Sequence, residues 1–455
     1  MKKISLFLII TAGVPLGCSP DYLDVKPSKS LVVPSQLQHF QALLDAAGVA
    51  MNQGPGIQAL ATDEFYHPDD NLKNLPFVPR NAYLWADDIF EGTGVADWEF
   101  PYKAIFNANI ALDGLRKISP DAQTEELYQH IYGSALFYRA VSHFHLAQVF
   151  AAPYEPATAA VLPGIPIRLS MDVNQIVGRG SLKQTYDQII ADLTESEPML
   201  PPQVTYINRP SGAAVKALLA RVYLSMGDYE KAGLMASAAL QIHDHLLDYN
   251  TLNPSAARPF PAPFSKANPE IIYHYGLTPY SPLVSSPLTG VDSVLYQSYQ
   301  SNDLRKTCFF VSRPSGVYGF KGSYGGGASL YGGLVTDELY LIRAESYARS
   351  KKTDLALADL NTLLRSRFKK GSFETLKATD ETILDLVLME RRKELFARGL
   401  RWSDLRRLNM EPAHQVTLMR IVNGKPLKLA PGDNRYVFPI PDNEIKLSGI
   451  EQNPR

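Results

Sequence analysis

The chain has 455 residues, 45% of them hydrophobic, and a formal net charge of −1 from 45 Lys and Arg against 46 Asp and Glu. A chain this long and apolar buries one large core or two ordinary ones and is not disordered. Its balanced charge, with no dense basic run, excludes a protein that tracks nucleic-acid phosphates. The aromatic set of 24 Tyr and 19 Phe against 3 Trp, with 33 Pro, points to long ordered loops beside helices and to a surface that binds through rings.

In chain order, Lys2 and Lys3 precede the apolar run "ISLFLIITAGV" and small residues up to Gly17, so residues 1–17 read as an export signal. The run is too short to span a bilayer, which takes about 20 apolar residues, and no later segment reaches that length without charges. No transmembrane helix is expected in the mature protein. Cys18 follows at once and is one of 2 cysteines, so no disulfide framework is expected. Gly17–Cys18 resembles a bacterial lipobox, with Pro15 where leucine is usual, and Cys18 is the expected lipid attachment point. Several acyl chains, at about 0.8 kcal/mol per buried CH2, hold a protein stably on a membrane. Cys308, in "RKTCFF", has no His or Asn motif beside it and is expected to be a buried structural thiol.

Helical periodicity begins with "WEFPYKAIFNANIALDGL", where Trp98, Tyr102, Ile105, Asn109 and Leu112 form one stripe, Asp97 is the expected N-cap and Pro101 falls in the first turn. The next helix, "GSALFYRAVSHFHLAQVF", places Leu136, Ala140, Phe144, Ala147 and Phe150 on one face and stops before Pro153. Further on a repeat emerges. Ala220, Tyr223 and Ala232 recur at the same spacing as Ala344, Tyr347 and Ala356, with a turn holding Asp228 or Asp354 before the second helix of each set. Small residues where helices touch and a tyrosine one turn on are the tetratricopeptide pattern. Short helices broken by Pro and Gly argue against a coiled coil. Between the hairpins, residues 51–97, 241–333 and 409–455 are rich in Pro, Gly, Asn, Ser and Tyr, and loops of this length are usually functional. The expected fold is mainly α: tetratricopeptide-like hairpins supporting a loop-rich flank. One unit is expected over 18–455, with helical hairpins to about 240, loops over about 241–333, and hairpins and tail over about 334–455.

Catalytic signatures are lacking: no H-E-x-x-H, G-x-S-x-G, P-loop or Cys-x-x-Cys occurs. The pairs His143/His145 and His243/His245 are two apart, point to opposite sides of a helix, and are read as structural or exposed. The adjacent carboxylates Asp69/Asp70 and Asp87/Asp88 raise a glycosidase pair or a calcium loop as alternatives. The expectation is a non-enzyme without cofactor.

Six segments, in order, resemble the SusD/RagB family of outer-membrane nutrient-binding lipoproteins. They are "CSPDYLDVKPS", "ATDEFY", "WEFPYKAIFNANIAL", "DELYLIRAESYAR", "ERRKELFARGLRWSDLRR" and "FPIPDNEIKLSGIEQNPR", with Ala397 where glutamate is usual and Arg455 in place of a closing Gly-Tyr. Physically, most of these motifs read as structural. Glu390, Arg391, Glu394, Arg401, Asp404 and Arg406 are expected to form an ion-pair network docking the C-terminal tail. Gly399 is expected to be a left-handed C-cap, and Trp98 and Tyr102 to pack inside their hairpin.

The resemblance implies capture of an oligosaccharide at the cell surface, and delivery to a SusC-like, TonB-dependent transporter barrel on which the lipid-anchored protein sits as a lid. Capture of a peptide or other nutrient, a tetratricopeptide scaffold for a protein partner, and a hydrolase are the alternatives. Sugar rings present apolar C–H faces edged by hydroxyls, so tyrosine and tryptophan offer platforms while Asn, Asp and Arg offer planar hydrogen-bonding partners. In the family the site lies in exposed loops, some between the T-D-E motif and the Trp helix. Here that interval holds Tyr66, Asp69, Asn71, Arg80, Tyr83 and Trp85, of which Trp85 is the expected principal platform. Tyr280, Tyr296 and Tyr318, in the later loops, are expected to close the other side of an arc.

Overall fold

Two long antiparallel helices open the helical half: α1 (Ala96–Leu115) and α2 (Glu125–Phe150). The computed structural model describes residues 34–47, 51–262, 264, 268–280, 283, 287, 289–313, 316–322, 324–327 and 329–455. The leader, Cys18 and the motif that follows it lie outside the described residues. The expected α2 stripe is wholly buried, and the helix starts at Glu125, well before the apolar run. In α1, Trp98 packs on Tyr102 and Phe150 with ring centroids 4.8 and 5.1 Å away, as expected of a structural pair. Asp97 is not the N-cap, which is Val95. It lies inside the helix and uses both oxygens elsewhere: Oδ1 accepts the Gly56 and Ile57 N–H groups at 2.7 and 2.9 Å, and Oδ2 accepts the Tyr280 hydroxyl at 2.5 Å. Pro101 consequently sits in the second turn.

The chain continues through α3 (Leu182–Ser196), α4 (Gly212–Ser225), α5 (Tyr229–Leu240), α6 (Thr336–Arg349), α7 (Thr353–Arg365), α8 (Ile383–Glu394) and α9 (Arg401–Leu408). α4/α5 and α6/α7 are the two matched repeats. Ala220, Ala232, Ala344 and Ala356 are fully buried where the helices of each pair meet. The equivalence extends to the turns: Gly227 and Lys351, each seven residues after the first alanine, both adopt left-handed φ, of 74° and 56°. Asp228 then caps α5, accepting the Lys231 N–H at 3.1 Å. α5 packs on α6, so the second repeat stacks directly on the first although nearly a hundred residues separate them.

A network of buried ion pairs joins α8 and α9 to the rest. Arg305 binds Asp303, Glu390 and Glu394 at 2.7, 2.8 and 3.0 Å, and Arg367 binds Glu394 and Glu270 at 2.7 Å. Arg391 and Arg407 share Asp404, and Arg407 also reaches Glu345 of α6 at 2.6 Å. Removing one partner of such a pair costs about 3–5 kcal/mol, because the other charge is left buried and alone. The network does not dock the C-terminal tail, contrary to the sequence expectation. It clamps the loop-rich part onto the helices, and the tail is instead held by side-chain hydrogen bonds. Asn453 Nδ2 donates to the Phe150 and Phe438 carbonyls at 2.9 and 2.8 Å. Gly399 is left-handed as expected, but α8 ends at Glu394 and Ala397 is left-handed too, so both shape the α8–α9 link and Gly399 caps nothing.

The loop-rich part is knitted by two-stranded sheets rather than by one continuous sheet. Strand Phe65–Tyr66 pairs antiparallel with Gly290–Val291, and Phe310–Ser312 pairs with Tyr318–Phe320. Leu418–Val422 and Lys425–Leu429 form a hairpin whose Asn423–Gly424 turn has φ of 49° and 72°, the left-handed pair such a tight turn requires. Phe65, Phe310, Phe320 and Phe396 form an aromatic core beneath these strands. Cys308 is buried, and burial pushes its thiol up to about 11, which keeps it unreactive.

Candidate functional site

The T-D-E-F-Y segment is a chain of anchors that ends at the surface. Thr62 Oγ1 donates to the Ala59 carbonyl at 2.9 Å. Burial alone would raise the Asp63 carboxyl, but Arg401 at 2.7 Å and Arg392 at 3.0 Å overcome it and hold it at about 2. Glu64 is buried and accepts the Ala397 N–H at 2.9 Å; burial pushes its carboxyl up to about 7. Phe65 enters the aromatic core, and Tyr66 emerges half-buried. Its ring lies so close over Gly290 that a Cβ there would stand 2.3 Å from it.

Around Tyr66 two features meet. One is a cleft of about 340 Å³ between this segment and the Leu418–Val422 strand, whose rim includes Tyr66, Asp69, Asp292 and the exposed Met419 and Ile421. Arg420 is buried at its floor, sandwiched between the rings of Tyr83 at 3.5 Å and Trp85 at 4.2 Å, and donates to the Thr62 carbonyl at 2.8 Å. The other feature is a pair of stacked tyrosines. Asp292 caps the short helix Ser293–Ser298, accepting the Leu295 N–H at 2.7 Å, and one turn on that helix carries Tyr296. Tyr296 and Tyr318 stack with centroids 3.5 Å apart and planes 16° from parallel. Both are half-buried, so the stack is partly open to solvent, and Val294 and Val311 nearby in sequence are exposed. Burial and the neighbouring Tyr318 push the Tyr296 phenol up to about 12, so it stays neutral.

Two cations flank the stack. Lys306 Nζ lies 4.7 Å over the Tyr296 ring. The Arg313 guanidinium lies across Gly319, where a Cβ would stand 2.1 Å from it, and donates to the Thr289 carbonyl at 2.8 Å. Its charge also acts on Tyr66, whose phenol is raised by burial and by Tyr83 and lowered by Arg313, with a net upward shift. Tyr66, Arg313, Tyr318 and Tyr296 therefore run as one partly exposed row of rings and planar donors. Sequence reading missed Arg313 and Lys306. The signal for Arg313 was its place before the turn-favouring sequence Pro-Ser-Gly in "SRPSG"; Lys306 carried none.

The residues expected from sequence separate into two groups. Tyr66, Asp69, Tyr83 and Trp85 are brought together at the cleft, and Tyr296 and Tyr318 at the stack beside it. Trp85 is not an exposed platform: it is 2% exposed, its indole N–H donates to the Ala61 carbonyl at 2.9 Å and one ring face is covered by Arg420. It holds a left-handed φ of 51°, a costly conformation for a bulky residue that its burial sustains. Tyr83 is likewise buried, its hydroxyl accepting the His67 N–H at 3.2 Å. Asp69 Oδ2 accepts the Asn423 N–H at 2.8 Å and so pins the hairpin turn to the cleft. Asn71 and Arg80 are half-buried on neighbouring short helices and do not line the cleft. Tyr280 is drawn away to Asp97 and does not join the arc.

His143 and His145 are buried, and burial pulls both down to about 3, so they are neutral. His145 stacks on Tyr275 at 4.7 Å, and His243 Nε2 meets the Pro269 carbonyl at 2.7 Å. Asp88 accepts the Glu91 N–H in a turn. Among the described residues no three His, Cys, Asp or Glu side chains converge as a metal cage.

A family model described as starch-binding associating with outer membrane matches residues 21–224, and the model of the SusD family matches residues 337–455. The chain belongs to the SusD/RagB family. A curated relative, SusD-like protein P2 of Formosa agariphila, is 30% identical over 154 residues, 33% of this chain and 28% of that protein's length. Among solved structures, a SusD superfamily protein of Bacteroides vulgatus matches with TM-score 0.75 and 19% identity over 92% of this chain and 99% of its own. One of Bacteroides thetaiotaomicron matches with TM-score 0.71 and 22% identity over 92% and 100%. A SusD-like carbohydrate binding protein of B. vulgatus matches with TM-score 0.66 and 17% identity over 91% and 97%. At these identities the likeness is one of fold, and it accounts for the loop-rich flank on a helical frame.

Proposed function

We propose that this SusD-like protein captures an oligosaccharide, without catalysis, on the row Tyr66–Arg313–Tyr318–Tyr296, and passes it to a TonB-dependent transporter barrel in the outer membrane. The stacked, half-exposed Tyr296–Tyr318 pair flanked by cationic donors is the observation that carries the reading. The exposed part of the stack offers apolar ring surface to the C–H face of a sugar ring, and the Arg313 guanidinium offers planar N–H donors to its hydroxyls. Asp292 and Asp69 on the adjoining rim add acceptors, and the cleft gives depth for a neighbouring sugar unit.

The reading as a binder rather than an enzyme rests on how the carboxylates are used. Asp63 is neutralised by two arginines and kept ionised at about 2, so it is a poor proton donor. Glu64, with its carboxyl near 7, is buried beneath the strands and does not line the cleft. Family membership and the carbohydrate-binding relative support the cargo class. The lipobox-like Gly17–Cys18 supports an acyl anchor through Cys18, with the binding face outward as a lid.

A glycan array probed with the purified mature protein tests the cargo. Hits among oligosaccharides, reduced by Tyr318→Ala, are expected; an array without hits, together with binding of oligopeptides, would replace sugar by peptide. Labelled palmitate incorporated into the wild type and absent from Cys18→Ser is the expected result for the anchor, and it is independent of the cargo.

A further inference from the structure

A second cleft, of about 470 Å³, shares no residue with the first. It opens between the segment after α2, the end of α9 and the 431–437 loop, and its walls are mainly apolar, with Pro153, Leu162, Met410 and Val437 among them. Three polar residues in that wall carry a hydrogen-bond donor that finds no acceptor among the described residues.

The first is Arg406. It is 4% exposed, and its two terminal nitrogens donate to the Gln148 and Ala151 carbonyls, capping the C-terminal end of α2. Its Nε has no partner and no carboxylate pairs with it among the described residues. The helix end it caps offers only about half a negative charge. Burial pulls the guanidinium down to about 10, as expected of a cation without a counter-ion. The second is Asn409, whose Oδ1 accepts the Val416 N–H at 2.8 Å and whose Nδ2 meets only the Tyr436 phenol oxygen, which takes one of its two N–H groups and leaves the other unused. The third is Tyr436, packed on Trp402 with centroids 4.9 Å apart, its hydroxyl beside Asn409. A bond from the Asn409 amide to the phenol oxygen would still leave the phenolic proton unused.

A guanidinium N–H, an amide N–H and a phenol all lack an acceptor, and one of them carries an uncompensated positive charge. The carboxylates at the rim do not supply it: Asp433 is bound by Arg435 at 2.7 Å, and Glu155 is exposed and engaged by Thr158 at 3.2 Å. Burying donors without acceptors is costly, and a bound acceptor would recover that cost. We propose that this cleft binds a small organic carboxylate, its oxygens accepting from Arg406, Asn409 and Tyr436 and its compact body lying against the apolar walls. The proposal does not rest on the capture of oligosaccharide at the tyrosine stack.

The test titrates the mature protein with glucuronate, isovalerate and glucose by saturation-transfer NMR and calorimetry. Saturable binding of one or both carboxylates, with none of glucose, is expected. Glucuronate alone identifies a sugar acid as the ligand, and isovalerate alone an aliphatic acid. Tyr436→Phe keeps the packing on Trp402 and is expected to weaken binding by about tenfold, the worth of one hydrogen bond to a charged group. Asn409→Asp keeps the acceptor for Val416 but adds a like charge, and is expected to abolish binding while the thermal midpoint stays close to wild type. No binding of either carboxylate at 20 mM, equal binding of glucose, or binding indifferent to Tyr436→Phe would overturn the proposal.

Discussion

Replacing Trp85 by alanine is expected to damage the fold more than it damages binding. The indole is 2% exposed, so truncation removes a whole buried ring, a change that costs about 3–5 kcal/mol in well-packed cores. It also strips one face from Arg420, a buried cation whose other ring partner is Tyr83, and a desolvated cation–π contact is worth about 2 kcal/mol. The Ala61 carbonyl loses its donor as well. Together the loss is about 5–7 kcal/mol, comparable with the whole stability of many domains. Urea unfolding followed by tryptophan and tyrosine fluorescence reads it as a lower midpoint. Because residue 85 is left-handed, Trp85→Gly escapes a strain of about 1 kcal/mol that alanine retains, and so is expected to be no less stable than Trp85→Ala. A Trp85→Ala protein with wild-type stability and lost glycan binding would refute the assignment of Trp85 to the floor of the cleft and restore it as a platform.

Other expectations follow from single contacts. The Glu64 carboxyl is raised to about 7 in the fold, so the wild type is relatively most stable below pH 4.5 and loses stability as pH rises through 7. Glu64→Gln keeps an acceptor for Ala397 and removes the titration, so its stability relative to wild type should grow by about 3 kcal/mol between pH 4.5 and 8; parallel pH profiles would contradict this. If the two helix pairs are true repeats, Gly227→Ala should cost about 1 kcal/mol and Lys351→Gly should be neutral or stabilising, both measured by denaturant midpoint. Tyr280→Phe loses only its bond to Asp97, and should lower the thermal midpoint without changing glycan affinity. An affinity loss there would return Tyr280 to the site.

The fold was legible because its signals are local. Ala220/Tyr223/Ala232 and Ala344/Tyr347/Ala356 mark helices that must touch at small residues, and the structure stacks those helices on one another. The misreadings arose where a side chain's partner is distant in sequence. Asp97 looked like a cap because aspartate before a helical stripe usually is one, but Gly56, Ile57 and Tyr280 compete for its oxygens. Trp85 stands outside any stripe, which suggested exposure. Its burial depends on Arg420, which comes from a hairpin more than three hundred residues away. The charges around α8 and α9 were recognised as a network, yet their partners Asp303, Arg305 and Glu270 lie in loops whose docking no periodicity reports. Tyr296 and Tyr318 were found by composition, whereas their stacking depends on the register of Phe310–Ser312 with Tyr318–Phe320.

Calorimetric titration of the best glycan from the array into wild type, Tyr318→Ala and Tyr66→Ala tests the central claim most directly. Both residues are half-buried at the surface, so both variants should fold, and each should lose at least tenfold in affinity, with Arg313→Met losing a similar amount. Glycan binding that survives all three substitutions unchanged would contradict the assignment of the tyrosine row as the capture site.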